Sequence, residues 1–190
     1  GVLAFKTPLS VLFVATASAQ AFSIPLYHGL LLAGLVLCLF GDVLLALPGE
    51  RAFLAGLVSF LLGHVFYGAA FFGTAGLEPS SLVALFPLAA AGCGVWRWLR
   101  PRLNGMRTPV AVYIVVISLM ACGAFGFLGE DSYGGSGRFL VIGGAVAFYL
   151  SDLFVARDRF VRRGFENRGV GLPLYYAGQF MLAFSPGFLG

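Results

Sequence analysis

Charge is scarce in this sequence: charged residues make up 11% of its 190 positions against 59% hydrophobic, and the mean hydropathy is +0.94. A soluble domain must show water far more polar surface than that, so the natural solvent of this chain is a bilayer. Lysine occurs once, as Lys6 at the entrance to an apolar run, which excludes a retinal-type photoreceptor with its buried Schiff-base lysine. Histidine occurs twice, as His28 and His64, so the histidine clusters that hold iron in membrane desaturases and hydroxylases are missing. Three cysteines, Cys38, Cys93 and Cys122, stand singly inside apolar stretches, with neither a disulfide framework nor metal-site spacing. Each reads as a small core residue. The basic pI of about 9.2 comes from short clusters between apolar runs, a topology pattern and not a nucleic-acid surface.

What the sequence does contain is apolar stretches of membrane-spanning length. Crossing the hydrocarbon core takes about 20 residues of helix, and seven runs approach or reach that length. They are 8–22, 27–47, 52–73, 80–99, 109–128, 137–156 and 171–189. They predict an all-α, polytopic transmembrane helix bundle forming one integral membrane domain over 1–190. Pro25, Pro48, Pro79, Pro101 and Pro109 fall at or near the ends of runs, where a missing N–H does little harm. Gly63, Gly92, Gly94, Gly123, Gly126, Gly143 and Gly144 lie inside them, as close helix approach in a membrane requires. The chain opens on Gly1 without Met, and residues 1–5 read as the stub of something longer. An upstream helix would make eight.

Alternating helices place Lys6 and all the arginines but one on a single side, with Arg138 alone on the other. Short cytoplasmic loops retain Lys and Arg, so the N-terminus is expected in the cytoplasm and the C-terminus outside. In a bacterium the membrane would be the inner one.

An ionisable side chain inside a bilayer costs several kcal/mol unless it is paired, hydrated or useful. Three qualify: Asp42, His64 and Asp152. Asp42 and Asp152 sit at nearly equal depth near the cytoplasmic ends of their runs, each in a Gly-Asp or Ser-Asp step. Ser151 precedes Asp152, and Tyr149 stands one turn earlier on the same face. Tyr67 shares the face of His64, and Tyr175 and Tyr176 share a face with Gln179. Taken singly, the aspartates fit pairing with Arg51 and Arg157 by snorkelling, and His64 fits an interhelical hydrogen bond. Two carboxylates at matched depth favour a shared site.

The stretches FGDVLLAL at 40–47, GLVSFLLGHVFY at 56–67, YLSDLFVARDRF at 149–160 and PLYYAGQFMLAFS at 173–185 occur in that order. Together they resemble the YhhN/TMEM86 family across essentially the whole chain, including a Lys-x-Pro at Lys6 and Pro8. The resemblance implies an eight-helix membrane protein that hydrolyses the vinyl ether bond of lysoplasmalogens to a fatty aldehyde and glycerophosphoethanolamine or glycerophosphocholine. It maps the family's intramembrane aspartates onto Asp42 and Asp152, and its His and C-terminal Tyr/Gln positions onto His64, Tyr176 and Gln179.

That reaction needs no metal or nucleotide. A proton delivered to the β-carbon gives an oxocarbenium ion, which water captures, so the site needs one protonated carboxyl and one carboxylate. Asp42 and Asp152 meet the requirement in either order, and His64 would assist. Tyr67, Tyr149, Ser151, Tyr176 and Gln179 are expected to position water or glycerol hydroxyls, and Lys6 with nearby arginines to hold the phosphate. The partners implied are a lysoplasmalogen substrate and the lipid bilayer. A small transporter or lipid-binding protein would use the same aspartates for a cation or proton. A divalent metal bridged by Asp42, Asp152 and His64 stays open, although helix spacing gives it no ligand motif.

Overall fold

The structure, a computed structural model, describes residues 2–190. Regular structure among them is entirely helical: α1 Val2–Ala19, α2 Pro25–Ala46, α3 Glu50–Ala75, α4 Pro79–Leu99, α5 Arg107–Phe125, α6 Gly135–Ala156 and α7 Phe165–Phe184. The helix ends follow local chemistry. Pro25 and Pro79 occupy the first helical position, where the N–H they lack would be unpaired anyway. Gly49 and Gly76, at φ of 107° and 76°, bracket α3 in the left-handed region that other residues avoid. A turn of π-helix, Arg157–Val161, continues α6 before the chain reverses into α7.

Each expected run is a helix, with two differences in extent. Helix α1 begins at Val2 and carries Pro8 inside, and α7 begins at Phe165 and carries Pro173 inside. The polar stretch 165–170 is too hydrophilic to register as part of an apolar run, but Glu166 in its first turn suits the positive end of a helix. Residues 2–5 are continuous with α1, and Gly1 lies outside the described residues. Five helical stretches, beginning with α2, α3, α4, α5 and α6, are long and apolar enough to cross a membrane. The protein is therefore a multi-pass membrane protein. Helices α1 and α7 are not among the five; they carry Lys6, Ser10 and Tyr175, whose side chains gather at Asp42.

Two helix pairs pack most extensively, α2 with α3 and α6 with α7. In each, glycines let backbones touch. A Cβ on Gly63 would meet the Gly34 carbonyl oxygen at 3.2 Å, and one on Gly178 would meet that of Gly144 at 2.9 Å. Helix α5 bridges α3, α4 and α6, and α1 closes the bundle against α2 and α7. The outward face of α4 is lipid-like, with Val83 and Phe86 exposed. There the sequence expectation is corrected: Cys93 is exposed rather than buried, and a Cβ on Gly94 would meet nothing within 4 Å. Cys38 and Cys122 are buried, as expected of small core residues.

Candidate active site

Both aspartates lie about one turn before the end of their helices, Ala46 and Ala156. Gly41 lets α2 lie against the Phe60 ring of α3 and carries Asp42 into the interior. Together Asp42 and Asp152 line one cavity of about 440 Å³. Much of its wall is apolar, including Leu45, Leu57, Val95, Ile114, Ile117 and Leu153. Lys6, Tyr113, Tyr149 and Tyr175 line it too, and Arg159, Arg163 and Arg168 join them beyond Asp152.

The two carboxylates have different company. Asp42 is surrounded by donors: Tyr175 donates its hydroxyl to Oδ2 at 2.6 Å, Ser10 Oγ lies 2.7 Å from the same oxygen, and Lys6 Nζ is 3.5 Å from Oδ1. Such a set, with an ammonium and a phenol hydroxyl on the two oxygens, stabilises a carboxylate. Asp152 receives one hydroxyl, from Tyr113 at 2.7 Å, and otherwise faces His64 Nε2 at 3.8 Å. His64 Nδ1 lies 2.7 Å from the Phe60 carbonyl oxygen, which can only accept, so Nδ1 carries a hydrogen. In the neutral ring Nε2 then presents a lone pair towards Asp152. That nitrogen is buried and has no hydrogen-bond partner of its own.

The remaining sequence candidates divide. Tyr149 lines the cavity, its hydroxyl 3.4 Å from Ser118 Oγ. Tyr67 lies behind the cavity wall, donating to Gln179 Oε1 at 2.8 Å, while Gln179 Nε2 is buried without a partner. Tyr176 donates to the Lys6 carbonyl oxygen at 3.1 Å and braces α1 against α7. Ser151 turns back on its own helix, donating to the Phe148 carbonyl oxygen at 2.7 Å, and does not line the cavity. Lys6 is engaged with Asp42. Among the described residues no three His, Cys, Asp or Glu side chains gather as metal ligands, so Asp42, Asp152 and His64 do not form a metal-ligand cluster.

Two residues of the site, Ser10 and Tyr113, escaped the sequence reading, and a third, Tyr175, enters it only as sharing a face with Gln179. Ser10 lies one turn after Lys6 on α1, Tyr113 is a single tyrosine in an apolar run, and Tyr175, not its neighbour Tyr176, reaches Asp42. A hydroxyl at helical spacing from Lys6 was the one available signal, for Ser10.

The family model described as the YhhN family matches residues 2–186. The chain is 34% identical over 182 residues to "Lysoplasmalogenase" of Mycobacterium tuberculosis (strain CDC 1551 / Oshkosh), covering 85% of this chain and 69% of that protein. It is 31% identical over 154 residues to "Lysoplasmalogenase TMEM86A" of Homo sapiens, covering 80% and 62%. With "Lysoplasmalogenase TMEM86B" of Mus musculus the identity is 32% over 157 residues, covering 82% and 62%. No solved structure gives a significant match. A family match over nearly the whole chain, with relatives aligned across most of its helices, makes this protein a member of the YhhN family.

Proposed function

We propose that this protein is a lysoplasmalogenase that cleaves the vinyl ether of a single-chain alkenyl lipid, with Asp152 as proton donor and Asp42 as the permanent carboxylate. The observation that carries the reading is that two aspartates from different helices line one largely apolar cavity, Asp42 with Lys6, Ser10 and Tyr175 around it and Asp152 with only Tyr113 and His64. The names of the relatives supply the substrate class.

In the first step the Asp152 carboxyl gives its proton to the β-carbon of the vinyl ether, and the positive charge spreads over the α-carbon and the ether oxygen. Asp42, held ionised by Lys6, Ser10 and Tyr175, stabilises that cation electrostatically in a site of low dielectric. Water adds to the α-carbon, and the proton it loses returns to the Asp152–His64 pair, restoring the acid. The resulting hemiacetal collapses: its hydroxyl proton moves to the glycerol oxygen as the carbon–oxygen bond breaks. One water is consumed, and an aldehyde and a free glycerol hydroxyl are formed. The His64 Nε2 lone pair faces the protonated Asp152 carboxyl and serves as the base that helps return the proton from water to it, and Tyr113 fixes the orientation of the carboxyl.

The test is aldehyde release by purified protein in detergent from an alkenyl lysophosphoethanolamine, beside its saturated ether analogue. Wild type is expected to release aldehyde from the vinyl ether alone. Asp152→Asn, removing a general acid, should lower kcat roughly a hundredfold or more, and Asp42→Asn should lower it comparably. Both variants should stay monodisperse. A stable wild type that releases no aldehyde would sink the reading. Heavy-oxygen water should leave no label in the glycerol product, because the bond breaks on the vinyl side.

A further inference from the structure

Five arginines follow Asp152 between positions 157 and 168. A topology signal needs only their number, yet the structure sorts them by direction. Arg159, Arg163 and Arg168 line the cavity, whereas Arg157 faces Glu166 at 3.8 Å and Arg162 does not line it. The sorting follows from the π turn Arg157–Val161, closed by the Arg162 amide on the Arg157 carbonyl oxygen, and from the reversal into α7, which Asp158 pins. Its Oδ1 accepts from the Gly164 amide and from Asn167 Nδ2, each at 3.1 Å, and Arg168 lies 3.7 Å from Oδ2. Asp158 thus neutralises Arg168, as Asp42 neutralises Lys6. Among the described residues no carboxylate forms an ion pair with Arg159 or Arg163. The Arg159 guanidinium carbon rests 4.1 Å from the Phe53 ring centroid, which steadies it and leaves its N–H groups free.

A second, independent observation points to a ligand here. Asn167 is buried, both hydrogens of its amide have acceptors in Asp158 and the Arg162 carbonyl, and its Oδ1 has none. Asn167 lines the same cavity. A buried amide oxygen without a donor is costly unless something brings one.

From the uncompensated Arg159 and Arg163 beside the unpartnered Asn167 oxygen, we infer that the end of the cavity beyond Asp152 is a headgroup subsite: the two guanidiniums take the phosphodiester of a lysolipid, and Asn167 accepts from an ammonium or hydroxyl of the same headgroup. The assignment rests on the proposed lysolipid reading and extends it. Arg159 lies roughly 10 Å beyond Asp152 along the helix axis, a distance that a glycerophosphate and the reach of a guanidinium together span. The phosphate is thereby moved from Lys6, whose charge is already engaged.

The experiment compares two substrates and one inert ligand on wild type, Arg159→Gln, Arg163→Gln and, as a control outside the cavity, Arg162→Gln. For the alkenyl lysophosphoethanolamine, Arg159→Gln and Arg163→Gln should each raise KM roughly tenfold or more, with kcat within about twofold. For the alkenylglycerol, which lacks phosphate, neither should change KM, and Arg162→Gln should change neither substrate. Unaltered KM for the phosphorylated substrate, or equal losses on both, would overturn the subsite. Binding of the saturated alkyl lysophosphoethanolamine, followed by tyrosine and tryptophan fluorescence, separates this failure from that of the hydrolase. Arginine-dependent binding without any aldehyde release overturns the hydrolase and keeps the subsite; aldehyde release with arginine-independent KM does the reverse. Inorganic phosphate is the remaining source of such an anion: if it displaces the lysolipid at equal concentration, the headgroup assignment falls, and if it does not, the assignment gains.

Discussion

At the scale of single residues, the two members of Tyr175-Tyr176 have separate duties. Tyr175 donates to the Asp42 carboxylate, and Tyr176 donates to the Lys6 carbonyl oxygen. A hydrogen bond to a charged acceptor contributes about 1.5–3 kcal/mol, more than one to a backbone carbonyl. Tyr175→Phe is therefore expected to lower kcat about tenfold or more, and Tyr176→Phe to change it no more than about threefold; equal effects would contradict the assignment. The sequence made the aspartates legible because a carboxylate in an apolar run is conspicuous. It did not reveal their partners. Ser10, Tyr113 and Tyr175 reach them from other helices, at separations of 32, 39 and 133 residues. Ser151 shows the opposite error of proximity: it adjoins Asp152 in the chain but spends its hydroxyl on Phe148.

At the scale of the helices, each aspartate follows by about two turns a glycine that seats its helix on a neighbour, Gly34 before Asp42 and Gly144 before Asp152. The close pair thus sets the position of the acid along the bundle axis. A Cβ on Gly178 would lie 2.9 Å from the Gly144 carbonyl oxygen and 3.1 Å from the Phe148 amide nitrogen, backbone atoms that cannot swing aside. Gly178→Val should therefore cost about 1–3 kcal/mol by forcing α6 and α7 apart, read as a lower unfolding midpoint in detergent. Gly94→Ala is the matched control, with open space around it, and should be neutral or stabilise by up to about 1 kcal/mol. Apolar runs located all seven helices, and for the five long and apolar enough to cross a membrane the reason is that such runs have one stable conformation in lipid. It lost the polar beginning of α7 and could not tell a packing glycine such as Gly63 from the lipid-facing Gly94, because both are only glycines in an apolar run.

At the scale of the whole molecule, the distribution of charge proposes an orientation. Arg138, the lone basic residue on its side, is bonded to Asp131 at 2.8 Å, so it brings little uncompensated charge to the loop between α5 and α6. Beside it the Ser132 hydroxyl and amide donate to Glu130 Oε1 and hold that carboxyl below its ordinary range. The loop therefore stays acidic at neutral pH, whereas the opposite end of the bundle gathers Arg159, Arg163 and Arg168 around the cavity. If basic ends are retained in the cytoplasm, the cavity opens to the cytoplasmic leaflet and substrate reaches it from that side. In a background with Cys38, Cys93 and Cys122 replaced, a cysteine at Ser132 should react with a membrane-impermeant maleimide in intact cells. A cysteine at Gly164 should react only after the membrane is opened. The reverse pattern would place the arginine-lined mouth outside and require the lysolipid to arrive from the outer leaflet.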